Sequence, residues 1–167
     1  MFIGNNNEIR AALFQQVDTL TDLEFNKKPD PESWSPKEII DHLVKMEQTI
    51  TKGIKAQLAN PESPKAKKKP IQLSTLRFIK VKAPNHTVPS SDYETKEKMK
   101  LLLHEARMEL LSVYTSSNLN VLKTKSLKHP VFGKVPLIQW FPFVGLHEKR
   151  HLKQLENTIE KLKGHKE

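Results

Sequence analysis

Cysteine is absent from this 167-residue chain. Its absence excludes a disulfide framework, a thiolate metal site and a cysteine nucleophile of the protein's own. No apolar run approaches the ~20 residues that a membrane-spanning helix needs. The opening residues, MFIGNNNEIR, have no basic patch followed by an apolar stretch, so no signal peptide is visible. Glycine is sparse, at five residues, and none sits in a phosphate-cradling loop. What is left is the composition expected of a soluble, cytoplasmic protein with one domain, residues 1–167, and one continuous core.

Acidic residues are also few relative to basic ones: 19 Asp and Glu stand against 28 Lys and Arg, for a net charge of +9. A nucleic-acid partner is the first reading of such an excess, but the charge is concentrated in one place. Residues 51–82 hold nine basic side chains and a single acid, Glu62, and so carry +8 of the +9. The centre of that segment, NPESPKAKKKP, is bracketed by prolines and has almost no large apolar side chain. Aromatic rings that would stack on bases are missing there, with only Phe78 nearby. A solvated basic connection over about 56–90 is favoured over a nucleic-acid surface.

Four stretches carry helical periodicity. The first spans about 5–24, with Ile9, Leu13, Val17 and Leu20 on one face. The second opens on Ser35 as N-cap, Pro36 at the first helical position and Glu38 completing a capping box. Ile39, Leu43, Met46 and Ile50 then form its stripe, which ends near Gly53. The third is expected to start from a Ser91–Glu94 capping box and to bury Met99, Leu102, Leu103, Ala106, Leu110 and Val113, ending before Ser116–Ser117–Asn118. The fourth runs from about Pro136 to Leu162, with Pro142 marking either a kink or the true start, and Gly164 as the stop. Residues 71–82 fit a short strand or a short helix equally. Strand signal is otherwise slight, so the fold expected is all-α: an antiparallel four-helix bundle with a long connection between helices 2 and 3. That connection frees the bundle from a simple up-down-up-down order.

The seven histidines separate by the face each occupies. His147 and His151 are four apart on the last helix, so their rings leave one face and can share an ion. They also lie on its apolar line with Trp140, Val144 and Leu155. His42 lies between Ile39 and Met46, also facing inward. A buried imidazole without a partner is costly, and three that converge, two at chelating spacing, point to a metal site. Three neutral imidazoles with an open position suit one divalent ion, zinc or nickel first, with iron, manganese and cobalt compatible. His86 and His165 read as loop and tail residues, and His104 falls off the apolar line of its helix. His129 begins the segment HPVFG and reads as a loop residue, at most lining the mouth of the site.

His147–Glu148–Lys149–Arg150–His151 also matches H-E-x-x-H, the zinc-protease pattern with Glu148 as general base. Lys149 and Arg150 put two cations on that helix, position 157 is Asn rather than a third histidine, and no later helix exists to supply a carboxylate ligand. A protease is therefore disfavoured.

Two blocks tie these residues to a known family. Trp34–Ser35–Pro36–Lys37–Glu38–Ile39–Ile40–Asp41–His42–Leu43 and HPVFGKVPLIQWFPFVGLHEKRHLKQ, from His129 to Gln154, resemble the DinB/YfiT-like superfamily of bacterial metal-binding four-helix bundles. The shared pattern is a tryptophan before the second helix, an inward histidine followed by leucine, His-Pro-x-x-Gly, a tryptophan in the last helix, and His-x-x-x-His followed by glutamine. Pro136 and Pro142 depart from it at the start of the last helix. The resemblance implies that His42, His147 and His151 bind one divalent metal with water at an open position, and it allows a homodimer. It implies thiol chemistry as well: transfer of bacillithiol or a similar low-molecular-weight thiol to an electrophile. Metal-dependent hydrolysis of a small ester or amide is the alternative, and a non-enzymatic metal-binding or stress-associated protein is the third. Small-molecule thiol and electrophile partners are expected, with no nucleic acid and no membrane. Glu38, one turn before His42, is a candidate to orient that ring, although its capping role explains it equally.

Overall fold

A computed structural model describes residues 1–76 and 82–164. Its main helices are α1 (Phe2–Asp18), α3 (Pro36–Ala59), α4 (Lys96–Ser116) and α6 (Leu137–Gly164), with short helices α2 (Asp22–Asn26) and α5 (Leu119–Thr124) between them. A hairpin of β1 (Ser126–His129) and β2 (Gly133–Pro136) precedes α6, and 3-10 turns occur at Ile71–Thr75 and Asn85–Thr87. Among the described residues no helix is long and apolar enough to cross a membrane.

Capping chemistry accounts for most boundaries. The Ser35–Glu38 box forms as expected: Glu38 N–H donates to Ser35 Oγ, and Ser35 N–H donates to Glu38 Oε2. A second box, Thr21–Glu24, divides the first stretch, so the helix expected over 5–24 stops at Asp18 and restarts as α2. The third helix is capped by Thr95 rather than Ser91. Thr95 Oγ1 accepts from Lys98 N–H, while the Glu94 backbone exchanges hydrogen bonds with Asn26. The second helix continues past Gly53 to Ala59, because Gly53 does not stop it. Gly53 instead makes room for the hairpin, where a Cβ would stand 2.9 Å from Leu127 Cδ2. Pro142 sits inside α6 near its start, so the helix begins before the proline. The hairpin and α5 were not anticipated. Their signals are short: Asn118 as a cap, and Gly133 at φ +69, a conformation glycine adopts without strain.

Side-chain pairs fix the helix directions. Asn6 reaches Phe141 and Arg10 reaches Glu148, so α1 and α6 run parallel. Residues 39–44 of α3 share a core cluster with Met99 and Leu103 of α4 and with Leu155 and Ile159 of α6. Ile50 and Ile54 share the other cluster with Leu110, Val113, Trp140 and Val144. Thus α3 and α4 run together, opposite to α1 and α6. Two parallel neighbours of this length need a connection that returns along the bundle, about 30 Å for 21 residues. Residues 60–95 make that return.

Between the two apolar clusters lies a charged layer with one residue from each main helix. Arg10 donates to both oxygens of Glu148 and to Glu47. Arg107 also bridges Glu47 and Glu148. Two guanidinium groups and two carboxylates balance, and Glu47, Glu148 and Arg107 are at most 5% exposed. Apolar periodicity alone does not anticipate this layer.

The basic connection is more ordered than a solvated loop. Gln139 clamps the Lys69 backbone, accepting from its N–H and donating to its carbonyl, while Ser126 Oγ donates to the Pro64 carbonyl. Ile71 is buried, whereas the Lys65, Lys67 and Lys68 side chains are exposed and Lys69 is half-buried. Replacing the four lysines with glutamine is expected to leave Tm within about 2 °C of wild type, because surface charges away from specific partners contribute little. A melting scan showing a larger loss would place those ammonium groups in the packing. Of the ambiguous 71–82 segment, Ile71–Thr75 is a 3-10 turn, and 77–81 lie outside the described residues, as does His165.

Candidate metal centre

His42 comes from α3, and His147 and His151 come from one face of α6. One ring nitrogen from each lies within 4.8 Å of the others. The Nε2 atoms of His147 and His151 stand 3.1 Å apart, close to the ~3.3 Å separation of two imidazole nitrogens on a tetrahedral zinc. His42 and His151 are each oriented from behind. His42 Nδ1 donates to the Thr87 carbonyl at 2.8 Å, and His151 Nδ1 donates to Gln154 Oε1 at 2.7 Å. These oxygens only accept, so a neutral ring presents an Nε2 lone pair toward the cluster, the arrangement metal-ligating histidines usually show. Glu38 takes no part, since both its contacts belong to the cap and to Lys28.

The connection between α3 and α4 sets the Thr87 carbonyl in place. Lys37 donates to the Ser90 carbonyl, Lys45 donates to the Val88 carbonyl, and Asp41 accepts from Ser90 N–H. Thr87 is itself fully buried and bonded to the Pro84 carbonyl through both N–H and Oγ1. A segment read from sequence as exposed therefore supplies the group that orients His42. Composition carried no signal for this, because the contact uses a main-chain oxygen.

Burial pushes the His42 imidazole below its ordinary value of 6.5, partly offset by the Thr87 carbonyl. His147 is held well below 6.5, first by burial and then by the neighbouring His151, His42 and Arg150. Both shifts favour the neutral ring, the form that can ligate a metal. In the metal-free protein a depressed imidazole pKa lets the unfolded chain bind protons first. Stability is full above about 6.5 and falls as pH drops from there toward the folded-state values. Urea midpoints between pH 7.5 and 5 are expected to fall in wild type and to fall less in His147→Ala. Equal slopes would exclude His147 as a source.

The three histidines open onto a cavity of about 820 Å³. Its walls include Trp34, Met46, Ile50, His129, Phe132, Trp140 and Phe143, and Lys82, Lys128, Arg150 and Lys161 also line it. Trp34 packs on His42 at 5.1 Å, and Phe143 stacks beside His147 at 6.1 Å. His129 is thus a wall residue, at the end of β1, and the exposed His86 lines the cavity too. His104 is exposed on α4, away from the cavity lining.

Glu148 is 1% exposed and bound to Arg10 and Arg107. Adjacent helical residues are about 100° apart, so His147 faces the cavity while Glu148 faces the bundle centre. The protease reading of H-E-x-x-H fails on this geometry. Among the described cavity-lining residues, the exposed Glu32 is the one carboxylate.

The chain and its fold have counterparts in known proteins. The chain is 34% identical over 156 residues to the uncharacterized protein YuaE of Bacillus subtilis (strain 168), covering 93% of this chain and 96% of that one. Two solved structures share the fold. TT2238, a four-helix bundle protein, has a TM-score of 0.63 at 17% identity, covering 93% of this chain and 96% of that one. YfiT from Bacillus subtilis, described as a probable metal-dependent hydrolase with an unusual four-helix bundle topology, has a TM-score of 0.61 at 15% identity, covering 95% and 86%. The family model of the DinB superfamily matches residues 7–155. By that match and by its likeness to YuaE, the chain belongs to the DinB superfamily.

Proposed function

We propose that this protein is a metal-dependent thiol S-transferase that joins a low-molecular-weight thiol, such as bacillithiol, to a small electrophile. One observation carries the reading. Three imidazoles, two of them oriented from behind, face a roomy cavity, while the carboxylate that hydrolysis would use as a base, Glu148, is sealed inside the bundle. His42, His147 and His151 would hold a divalent ion, which would supply the Lewis acidity that favours the thiolate form of a substrate thiol. The chain has no cysteine, so the thiol arrives as substrate. Thr87 and Gln154 hold the rings of His42 and His151 in place. Trp34 packs beside His42 and Phe143 beside His147. The cationic side chains lining the cavity attract the carboxylates that such thiols carry. In the transfer a carbon–sulfur bond forms, the electrophile loses its leaving group, and the thiol proton passes to solvent.

The same donor set supports metal-dependent hydrolysis of a small ester or amide, the description attached to YfiT. Added thiol separates the two. Metal-loaded protein mixed with 1-chloro-2,4-dinitrobenzene is expected to release chloride only when bacillithiol or cysteine is present, and His151→Ala is expected to abolish the rate. Ester turnover that is unchanged by thiol, with no thiol-dependent chloride release, would overturn the transferase reading in favour of hydrolysis.

A further inference from the structure

His129 is used neither by the histidine cluster nor by the hairpin ladder alone. Its Nδ1 accepts from two main-chain donors, Val131 N–H at 3.0 Å and Phe132 N–H at 3.2 Å. An acceptor nitrogen carries no proton, so the neutral ring has its hydrogen on Nε2. That N–H has no partner among the described residues, and the half-buried ring lines the cavity. The turn therefore fixes both the position and the tautomer of a lone donor.

Around it the rings meet edge to face or tilted. Phe132 is at 4.8 Å, Phe143 at 5.1 Å and Trp140 at 5.7 Å, and Phe143 and Trp140 meet each other at 5.1 Å. A flat ligand ring adds to such a cluster by the same contacts. Lys82, Lys128 and Lys161 are exposed along the same cavity, with Arg150 beside them; Asp30 pairs with Lys161 at 3.6 Å, and Glu32 is the one carboxylate among the described lining residues.

We infer that this half of the cavity is a binding site for a flat aromatic anion, whose oxygen accepts the His129 Nε2 hydrogen while its ring packs on the half-buried Phe132, with the buried Trp140 and Phe143 behind it. It names the class of the second substrate, and so rests on the reading of the cavity as a transferase site. Its ligand is bound by the chain and not by the metal ion, so the two can fail separately.

The probe is 2-naphthalenesulfonate, an aromatic anion whose sulfonate is a poor metal ligand. It is titrated into metal-loaded full-length protein by calorimetry, with Trp34 and Trp140 fluorescence as a second signal. Methanesulfonate, lacking the ring, and 2-naphthalenemethanol, lacking the charge, are expected to bind at least about tenfold more weakly. His129→Asn keeps an acceptor oxygen near the Nδ1 position for the turn but has no donor at Nε2. It is expected to weaken the probe about tenfold, the effect of losing one hydrogen bond to a charged group, with Tm and metal content unchanged. His129→Gln, which restores a donor farther out, is expected to recover part of the affinity. Equal affinity in wild type and His129→Asn would reduce His129 to a turn residue and overturn the inference. Naphthalenesulfonate binding no better than methanesulfonate would overturn the ligand class. Specific binding that depends on His129, without thiol-dependent turnover, would leave the site standing and remove the transferase reading.

Discussion

His147→Ala and His151→Ala are each expected to remove the metal-dependent part of the thermal stability. An ion that binds only the folded chain stabilises it by roughly 2.7 kcal/mol at a free concentration about 100 times Kd. For a chain of this size each kcal/mol shifts Tm by about 2–4 °C, so the holo protein should melt about 5–10 °C above the apo protein. In either variant that gap should close, because two remaining imidazoles bind far more weakly and need not hold the ion in place. Apo Tm in His147→Ala should change little or rise, since a half-buried ring with a depressed pKa is replaced by an apolar methyl. Differential scanning with and without added zinc or nickel reads both values. An undiminished metal-induced shift in both variants would remove these residues from the site.

Glu148→Ala is expected to be the most destabilising single change in the bundle. It strips Arg10 of two hydrogen bonds and Arg107 of one, inside a layer already leaving Arg107 Nη1 without a partner. Removing one member of a buried charged network costs about 3–5 kcal/mol, because the remaining charges stay desolvated and unbalanced. The matching fall in Tm is about 6–20 °C in metal-free protein. Glu148→Gln keeps the shape and some hydrogen bonds and should lose less. Glu148→Leu combined with Arg107→Met removes one charge of each sign and should recover part of the loss. A loss under about 1 kcal/mol in Glu148→Ala would mean that water reaches the layer.

What the sequence made legible follows from the range of the interactions involved. Helix starts set by local chemistry, such as Ser35–Pro36–Glu38, were read correctly from three residues. Helical spacing and an apolar background place His42, His147 and His151 on inward faces, and the structure brings the three rings together. The charged layer was missed although its sign was present. Arg107 lies between Leu103 and Leu110, and Glu47 between Leu43 and Ile50, on stripes that should have been apolar throughout. Reading those charges as one cluster needed the helix directions, which periodicity does not give. The Thr87 carbonyl and the turn around His129 were illegible for a different reason, since main-chain groups have no signature in the sequence. The Thr21–Glu24 box was in plain view and was overridden by the apolar line that runs through it.

The most direct measurement is elemental mass spectrometry of protein purified without a histidine tag, in wild type and in His42→Ala. A three-histidine centre predicts about one zinc, nickel or similar ion per chain in wild type, lost in the variant. No bound metal in wild type, even after reconstitution, would contradict it, and His42, His147 and His151 would then be pocket residues held by Thr87, Gln154 and each other.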